Sequence, residues 1–447
     1  MMIKRLSELS DVQMEKLLRS DVKDVTSATK KILEDVRKNG DGAVIKYTKK
    51  FDGAVLRNLE VTEEEIRNAE ASVDAKLIKH LERAALNIAA FHDKQLDDEL
   101  WLEEFGPGIT LGQKTTPLDR VGAYVPGGLA SYPSTALMTV IPAKVAGVPV
   151  VIMCTPPRPD GTVNPLTLAA ADIAGADRVF KVGGTQAIAA MAYGTKSIPK
   201  VDKIVGPGNV YVTAAKMLVR NDVEIDFPAG PSEIVILADQ PFEKKRVSAL
   251  QKHLLSAQQT EALTKTATII ASDMVAQAEH DPASVAILVA TSQKLAKAVD
   301  AEMKKQTKKA LRKDVIAKAL KKGAILIADD LKQGIEFVNA LAPEHLELMV
   351  PDPLKVLNDI RHAGAIFIGG YSPVAAGDYA SGANHVLPTM RYARVLSGLD
   401  VAHFTKKSSI QIISKSGLRD LKDTIIALAK AEGLEAHAES IRKRFEK

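Results

Sequence analysis

Between residues 120 and 238, short Val- and Ile-rich runs alternate with Ala-rich segments of helical length, and this alternation constrains the fold most tightly. VPVVIMC, DRVFKVG, VDKIVG, VEIDF and EIVILA read as strands. PLTLAAADIAG, GTQAIAAMAYG and NVYVTAAKMLVR read as the helices among them. Near-continuous apolar strands are those covered on both faces, and strand–helix repetition joins them in parallel. A parallel sheet with helices on its faces is therefore expected here. Glycines stand where strands end: Gly127 and Gly128, Gly183 and Gly184, Gly206 and Gly208, and Gly230. At the carboxyl edge of a parallel sheet such turns let backbone amides approach an anion. An ordinary tight turn explains any one cluster equally well, and none forms a GxGxxG fingerprint.

The flanking stretches differ. Residues 1–24 form a short charged lead. Residues 25–118 read as mostly helical, with a break at Asn39 and Gly40, a helix or helix pair over 63–93, and an irregular link marked by Pro107, Gly108, Gly112 and Pro117. Residues 240–400 read as a second α/β unit. A long helical region ending in QAEHD precedes the strands SVAILVAT, GAILIA, LELMV and GAIFIG. The lysine-rich stretch between the first two strands carries apolar residues at helical spacing, as solvated helix faces do. Residues 401–447 form a tail with a helix from Leu418 to Ala431 and another helical segment around His437.

A chain of 447 residues is long enough for more than one folded unit. Its formal charge of +5 and 4% aromatic content give no argument for nucleic acid or a membrane surface. No apolar run approaches the roughly 20 residues of a membrane span, and MMIKRLSELS lacks the apolar centre of a secretory signal. The single cysteine, Cys154, follows an apolar run and reads as a buried strand-end residue. A reducing, cytoplasmic setting is expected.

The chain has nine histidines. Several accompany other polar groups in segments where a core role is awkward: Gln277 with His280 in QAEHD, Glu344 with His345 in PEHLEL, Asp378 and His385 in GDYASGANH, and His437 near the end. Their wide spacing suits a site assembled by the fold rather than a compact structural zinc module. Gln277 and His280, three apart, share a helix face, although glutamine is an infrequent zinc ligand and helix capping explains the pair by itself. Glu344 and His345 combine a carboxylate with an imidazole suited to proton transfer near neutrality, or cap a strand. Asp378 can ligate a cation, and His385 can donate to a carboxylate or phosphate.

Taken together, RVGAYVPGGLASYPSTALM, KVGGTQAIAA, VDKIVGPGNVYVTAAK, DFPAGPSEIVILAD, QAEHD, APEHLEL, GDYASGANHVLPT and EGLEAHAESIRKR resemble the histidinol dehydrogenase family from about residue 25 to the C-terminus. The resemblance implies an α/β fold of two incomplete Rossmann-like parallel-sheet domains with small exchanged terminal segments. It divides the chain into a dimerisation segment 1–24, a large domain 25–119 with 239–400, an inserted domain 120–238, and a C-terminal segment 401–447 that reaches the partner's site. It implies zinc on Gln277, His280, Asp378 and His437, and Glu344 with His345 as the acid–base pair. By the same resemblance, Ser232, Gln277, His280, His345, Asp378, His385, Glu432 and His437 are expected to surround L-histidinol, and Tyr124, Gln186 and Asn209 to take NAD positions. The implied reaction is two successive NAD-dependent oxidations in a homodimer with shared sites. Two departures stand out: 240–276 reads as extra helix that displaces the Gln277–His280 pair or forms a surface hairpin, and Ala402 with His403 replaces the family's polar pairing. A zinc hydrolase, a noncatalytic scaffold and a dehydrogenase for another amino alcohol are the competing readings.

Overall fold

The computed structural model describes residues 1–10, 12, 13, 17, 25–127, 131–228, 230–239 and 252–446, with only the backbone over 252–260. Gly128, most of the 11–24 lead and residues 240–251 lie outside the described residues.

The expected middle sheet is present. Strands β4 (Arg120–Tyr124), β5 (Val150–Thr155), β6 (Arg178–Lys181), β7 (Lys203–Val205) and β8 (Glu224–Ile225) are all parallel, in the order β6-β5-β4-β7-β8. The chain winds outward from β4 through β5 to β6, then crosses to β7 on the other side of β4. Helices cover both faces. Leu81, Ala84 and Ile88 of the helix Ala75–Asp93 join the helices Pro133–Val145 and Pro165–Ala174 in one core. Ile32, Leu33, Val36 and Val44 of the helix Thr26–Asp52 join Gly184–Tyr193 and Val210–Leu218 in the other. The Thr26–Asp52 helix bends at Gly40, where the sequence break was expected (φ 50°). Residues 63–93 form the helix pair Glu63–Ser72 and Ala75–Asp93, each started by its own cap, Thr62 and Asp74.

The second sheet repeats the winding. Strands β9 (Glu233–Ala238), β10 (Val285–Ala290), β11 (Ala324–Ile327), β12 (His345–Met349) and β13 (Ala365–Ile368), with the N-terminal strand β1 (Met2–Arg5) at one edge, are parallel in the order β1-β11-β10-β9-β12-β13. Helices Lys252–Ala278 and Gln293–Lys309 cover one face, and Leu331–Leu341 covers the other.

Sheet membership and packing differ from the expected boundaries in two places. EIVILA, read as the close of the middle sheet, is the central strand β9 of the second. The helices of residues 26–93 pack on the middle sheet, because their apolar stripes meet its two helical layers.

A third sheet was not foreseen. Strands β2 (Leu100–Gly106), β3 (Ile109–Pro117) and β14 (Thr405–Ile413) form an antiparallel arm in the order β14-β3-β2. The link expected to be irregular is thus half of a hairpin. The C-terminal helices Lys415–Ala431 and Glu435–Lys443 follow β14. Among the described residues no helix is long and apolar enough to cross a membrane.

Candidate active site

The two parallel sheets present opposite edges to chemistry. Tyr124 ends β4, Gly183 and Gly184 follow β6, and Gly206 to Asn209 follow β7, all at carboxyl ends. Tyr124 and Gly206 flank the point where the winding reverses, the usual ligand crevice of such sheets. Glu233 and His345 instead begin β9 and β12, and Gln277 and His280 precede β10, so this cluster gathers at amino ends. Gly230 lies between β8 of one sheet and β9 of the other.

The amino-edge cluster is built on main chain. The helix Leu331–Leu341 ends with Ala342 in the left-handed region (φ 51°), a strained position for alanine. Pro343 then turns the chain into Glu344 and β12. Gly364 N donates to Pro343 O at 2.9 Å, and a Cβ on Gly364 would lie 2.6 Å from Glu344 O, so only glycine fits there. Glu344 and His345 are 5% and 4% exposed. Glu344 Oε2 accepts from Glu233 N at 2.8 Å, and the Ser232 hydroxyl also donates to this carboxylate. Burial pushes the Glu344 carboxyl well above its usual range, and the Glu233 and Asp378 charges add to the shift.

His345 Nδ1 lies 3.0 Å from Glu233 O. A carbonyl oxygen can only accept, so Nδ1 carries the proton and Nε2 is the bare acceptor. Nε2 is buried and has no partner among the described residues. Burial lowers the ring to about 4, so it is neutral at pH 7. His280 and His385 act electrostatically on the same ring, which locates both histidines around it.

His385 is held from both sides. Its Nδ1 is 3.0 Å from Asp378 O and its Nε2 3.3 Å from Thr135 Oγ1. Burial brings it to about 4 and raises Asp378 to about 7. Asp378 belongs to the short helix Val374–Tyr379, where the sequence suggested a polar loop. Gln277 is in the last turn of the helix Lys252–Ala278, 4% exposed, with an amide nitrogen that has no partner among the described residues. That helix is continuous from 252, so a surface hairpin over its described part is ruled out.

Glu432 and His437 are exposed on the C-terminal helical segment. Among the described residues no group of three His, Cys, Asp or Glu side chains forms a metal cage within one chain.

At the carboxyl edge, Tyr124 is 4% exposed and its hydroxyl accepts from Gly184 N at 3.0 Å, beneath the turn. Gln186 is buried, and its Oε1 has no partner among the described residues. Asn209 caps the helix Val210–Leu218, its Oδ1 accepting from Tyr211 N and Val212 N. Gly206 has φ 116°, and a Cβ there would overlap Tyr124 O. Its turn is clamped: Lys216 Nζ donates to Gly206 O at 2.9 Å, Gly206 N donates to Asp226 Oδ2 at 2.8 Å, and Lys216 pairs with Asp226. Cys154 is buried and its thiol is pushed far up, as its strand-end placement suggested. His403 pairs with Asp400 at 2.7 Å in the cap of a short helical turn, a structural task.

Sequence reasoning missed Glu233, which holds three partners at once. It looked like the first residue of an apolar strand. Asn384 was also missed. It donates to Met138 O at 2.8 Å, lies 3.3 Å from His92 Nε2, and so fixes the loop that presents His385.

A family model described as histidinol dehydrogenase matches residues 16–261 and 261–445. A histidinol dehydrogenase from Methanosarcina barkeri is 57% identical over 447 residues, covering 100% of this chain and 98% of the relative. One from Methanocaldococcus jannaschii is 47% identical over 448 residues, covering 100% and 99%. The crystal structure of histidinol dehydrogenase from Elizabethkingia anophelis superposes with a TM-score of 0.90 at 35% identity, over 100% of this chain and 98% of that one. With both sheets, the clustered polar residues and this end-to-end similarity in hand, the chain belongs to the histidinol dehydrogenase family of oxidoreductases.

Proposed function

We propose that the chain oxidises L-histidinol to L-histidine through histidinaldehyde, reducing two NAD, in the biosynthesis of histidine. The observation that carries this reading is His345: a neutral imidazole with its bare Nε2 buried and aimed into a cluster of polar side chains. That is the protonation state and tautomer a general base needs to take an alcohol proton. Glu233 O fixes the ring by its other nitrogen, so proton uptake requires no reorientation.

Glu344 is the second acid–base group. Its raised proton affinity makes its carboxylate a stronger base toward water than an exposed one. It serves the aldehyde stage, where water supplies the second oxygen of the product carboxylate. Ser232 and Glu233 N hold the carboxyl in place. His385, braced by Thr135 and the Asp378 carbonyl, faces the same space and orients the substrate.

The donors suit a zinc ion: the amide oxygen of the buried Gln277, the His280 imidazole and the Asp378 carboxylate. His437 would complete the set, supplied by a second copy of the chain. When bound there, the metal would fix the imidazole and amino nitrogens of histidinol, a positioning role. NAD, held by the Tyr124, Gln186 and Asn209 turns, would accept the hydride. The unpartnered Gln186 Oε1 and the glycine turns at the winding reversal suit that cofactor.

A homodimer with shared sites is part of this reading, and the exposed position of Glu432 and His437 is compatible with it. It is supported by apolar side chains left open on the arm, Leu100, Leu102, Phe105 and Ile412, and on the helical segment that follows it, Leu428 and Leu434. The division into a large domain, an inserted domain and terminal exchange segments is part of this reading, as is a cytoplasmic location. Histidinol-dependent NADH formation that is lost on chelation and restored by zinc supports the proposal; undiminished NADH formation by metal-free protein contradicts the zinc assignment.

A further inference from the structure

Two carboxyl groups, the buried Glu347 and the partly buried Asp273, are left unused by this chemistry. Asp273 lies four residues before Gln277 on the helix Lys252–Ala278, so both project from one face. Glu347 lies two residues after His345 on β12, so it shares that strand face. The two carboxyl groups face each other within hydrogen-bonding reach. Glu347 is 1% exposed. Its Oε1 accepts from Val374 N at 3.2 Å, whereas its Oε2 and Asp273 Oδ2 are buried with no donor among the described residues. Two carboxylate oxygens cannot bond without a proton between them, and two bare charges there would repel in an apolar setting. That setting is supplied by Ile270, Met274, Met349 and Phe367.

We propose that Asp273 and Glu347 are positioning residues: a carboxyl pair sharing one proton, which ties the helix presenting Gln277 and His280 to the strand presenting His345. The inference rests on the functional reading of those three residues. The helix carries Gln277 in its last turn, and the shared hydrogen bond is a directional polar tie between that end and β12 amid non-directional apolar packing. Burial raises both groups, Asp273 to about 6 and Glu347 well above the carboxylate range, which favours retention of one proton near neutrality. Among the described residues, the charged group acting on each is the other, with the Val374 amide the further polar contact of Glu347.

The test uses the zinc- and NAD-supplied enzyme and two readouts. In the infrared, wild type minus the Asp273→Asn/Glu347→Gln double variant at pH 7 is expected to contain the carbonyl stretch of a protonated carboxylic acid that shifts in D2O. A difference spectrum without that band overturns the shared proton, whatever the enzyme does with histidinol. In turnover, Asp273→Ala is expected to lower kcat about tenfold or more by loosening the geometry, while KM for NAD stays near the wild-type value. Asp273→Asn, whose amide can donate where the shared proton did, is expected to restore most of kcat. It should also carry the alkaline fall of activity to higher pH, because the pair can no longer become doubly charged. A kcat and pH profile for Asp273→Ala equal to those of wild type overturns the positioning role. Wild-type protein that forms no NADH from histidinol counts against the functional reading, and the infrared difference still decides the pair.

Discussion

At the scale of single residues, the environment assigns different work to neighbouring groups. His345 is neutral with a free Nε2, and Glu344 is a carboxyl of raised proton affinity. His345→Asn should therefore depress histidinol oxidation most, and Glu344→Gln should depress histidinaldehyde oxidation most, each by about a hundredfold or more. Assaying both variants with both substrates checks this; equal losses in both half-reactions would contradict separate roles. A second residue-scale prediction concerns Asp52, whose buried Oδ2 has no partner among the described residues and whose pKa burial raises to about 6. A carboxyl raised in the fold favours the folded state fully below its ordinary value, near 4, and loses that advantage as pH rises through about 6. Asp52→Asn should thus gain stability over wild type at pH 8 and not at pH 4. The gain should be about 1 kcal/mol once solvent at the partly open side is allowed for. Urea midpoints at the two pH values measure it. The Glu344–His345 pair was legible because two adjacent chemical residues interrupt an apolar pattern. Glu233 was not, because its importance lies in main-chain and side-chain bonds to residues more than a hundred positions away.

At the scale of elements, the β–α alternation was readable because strands buried on both faces leave continuous apolar runs. The arm was not. All but the last residue of β2 are exposed, and β3 is interrupted by Gly112, where a Cβ would overlap Trp101 O in the neighbouring strand. Its register is set by pairing between distant strands, which local pattern does not encode. The assignment of β9 to the second sheet is likewise a tertiary choice between two equally apolar neighbourhoods. The Gly206 turn provides an element-scale prediction. Lys216 and Asp226 are buried together around it. Removing one partner leaves an uncompensated charge, so Lys216→Met should cost about 3 kcal/mol or more. It should also weaken NAD binding through the displaced Asn209 turn. Lys304→Ala, which breaks an exposed pair with Asp300, should change stability by less than about 1 kcal/mol. Chemical denaturation of both variants, with NAD titration of the first, checks the contrast.

At the scale of the whole molecule, one chain brings Ser232, His280, Glu344, His345, Asp378 and His385 to one neighbourhood and leaves Glu432 and His437 at the surface. A sequence motif could name His437 but could not show which copy of the chain it serves. If it serves the partner, His437→Ala should weaken zinc and substrate retention while leaving the fold intact, since the ring is exposed. Inactive His437→Ala and His345→Asn chains should then regain activity in verified heterodimers, where one site carries both defects and the other neither. Heterodimers without recovery would argue that His437 acts within its own chain or that the sites are obligately coupled. The complete reaction is read most directly from turnover of purified protein with histidinol and NAD, following NADH and histidine together. Two NADH for each histidine formed is the expected result; one NADH with histidinaldehyde as the final product would contradict the two-step oxidation.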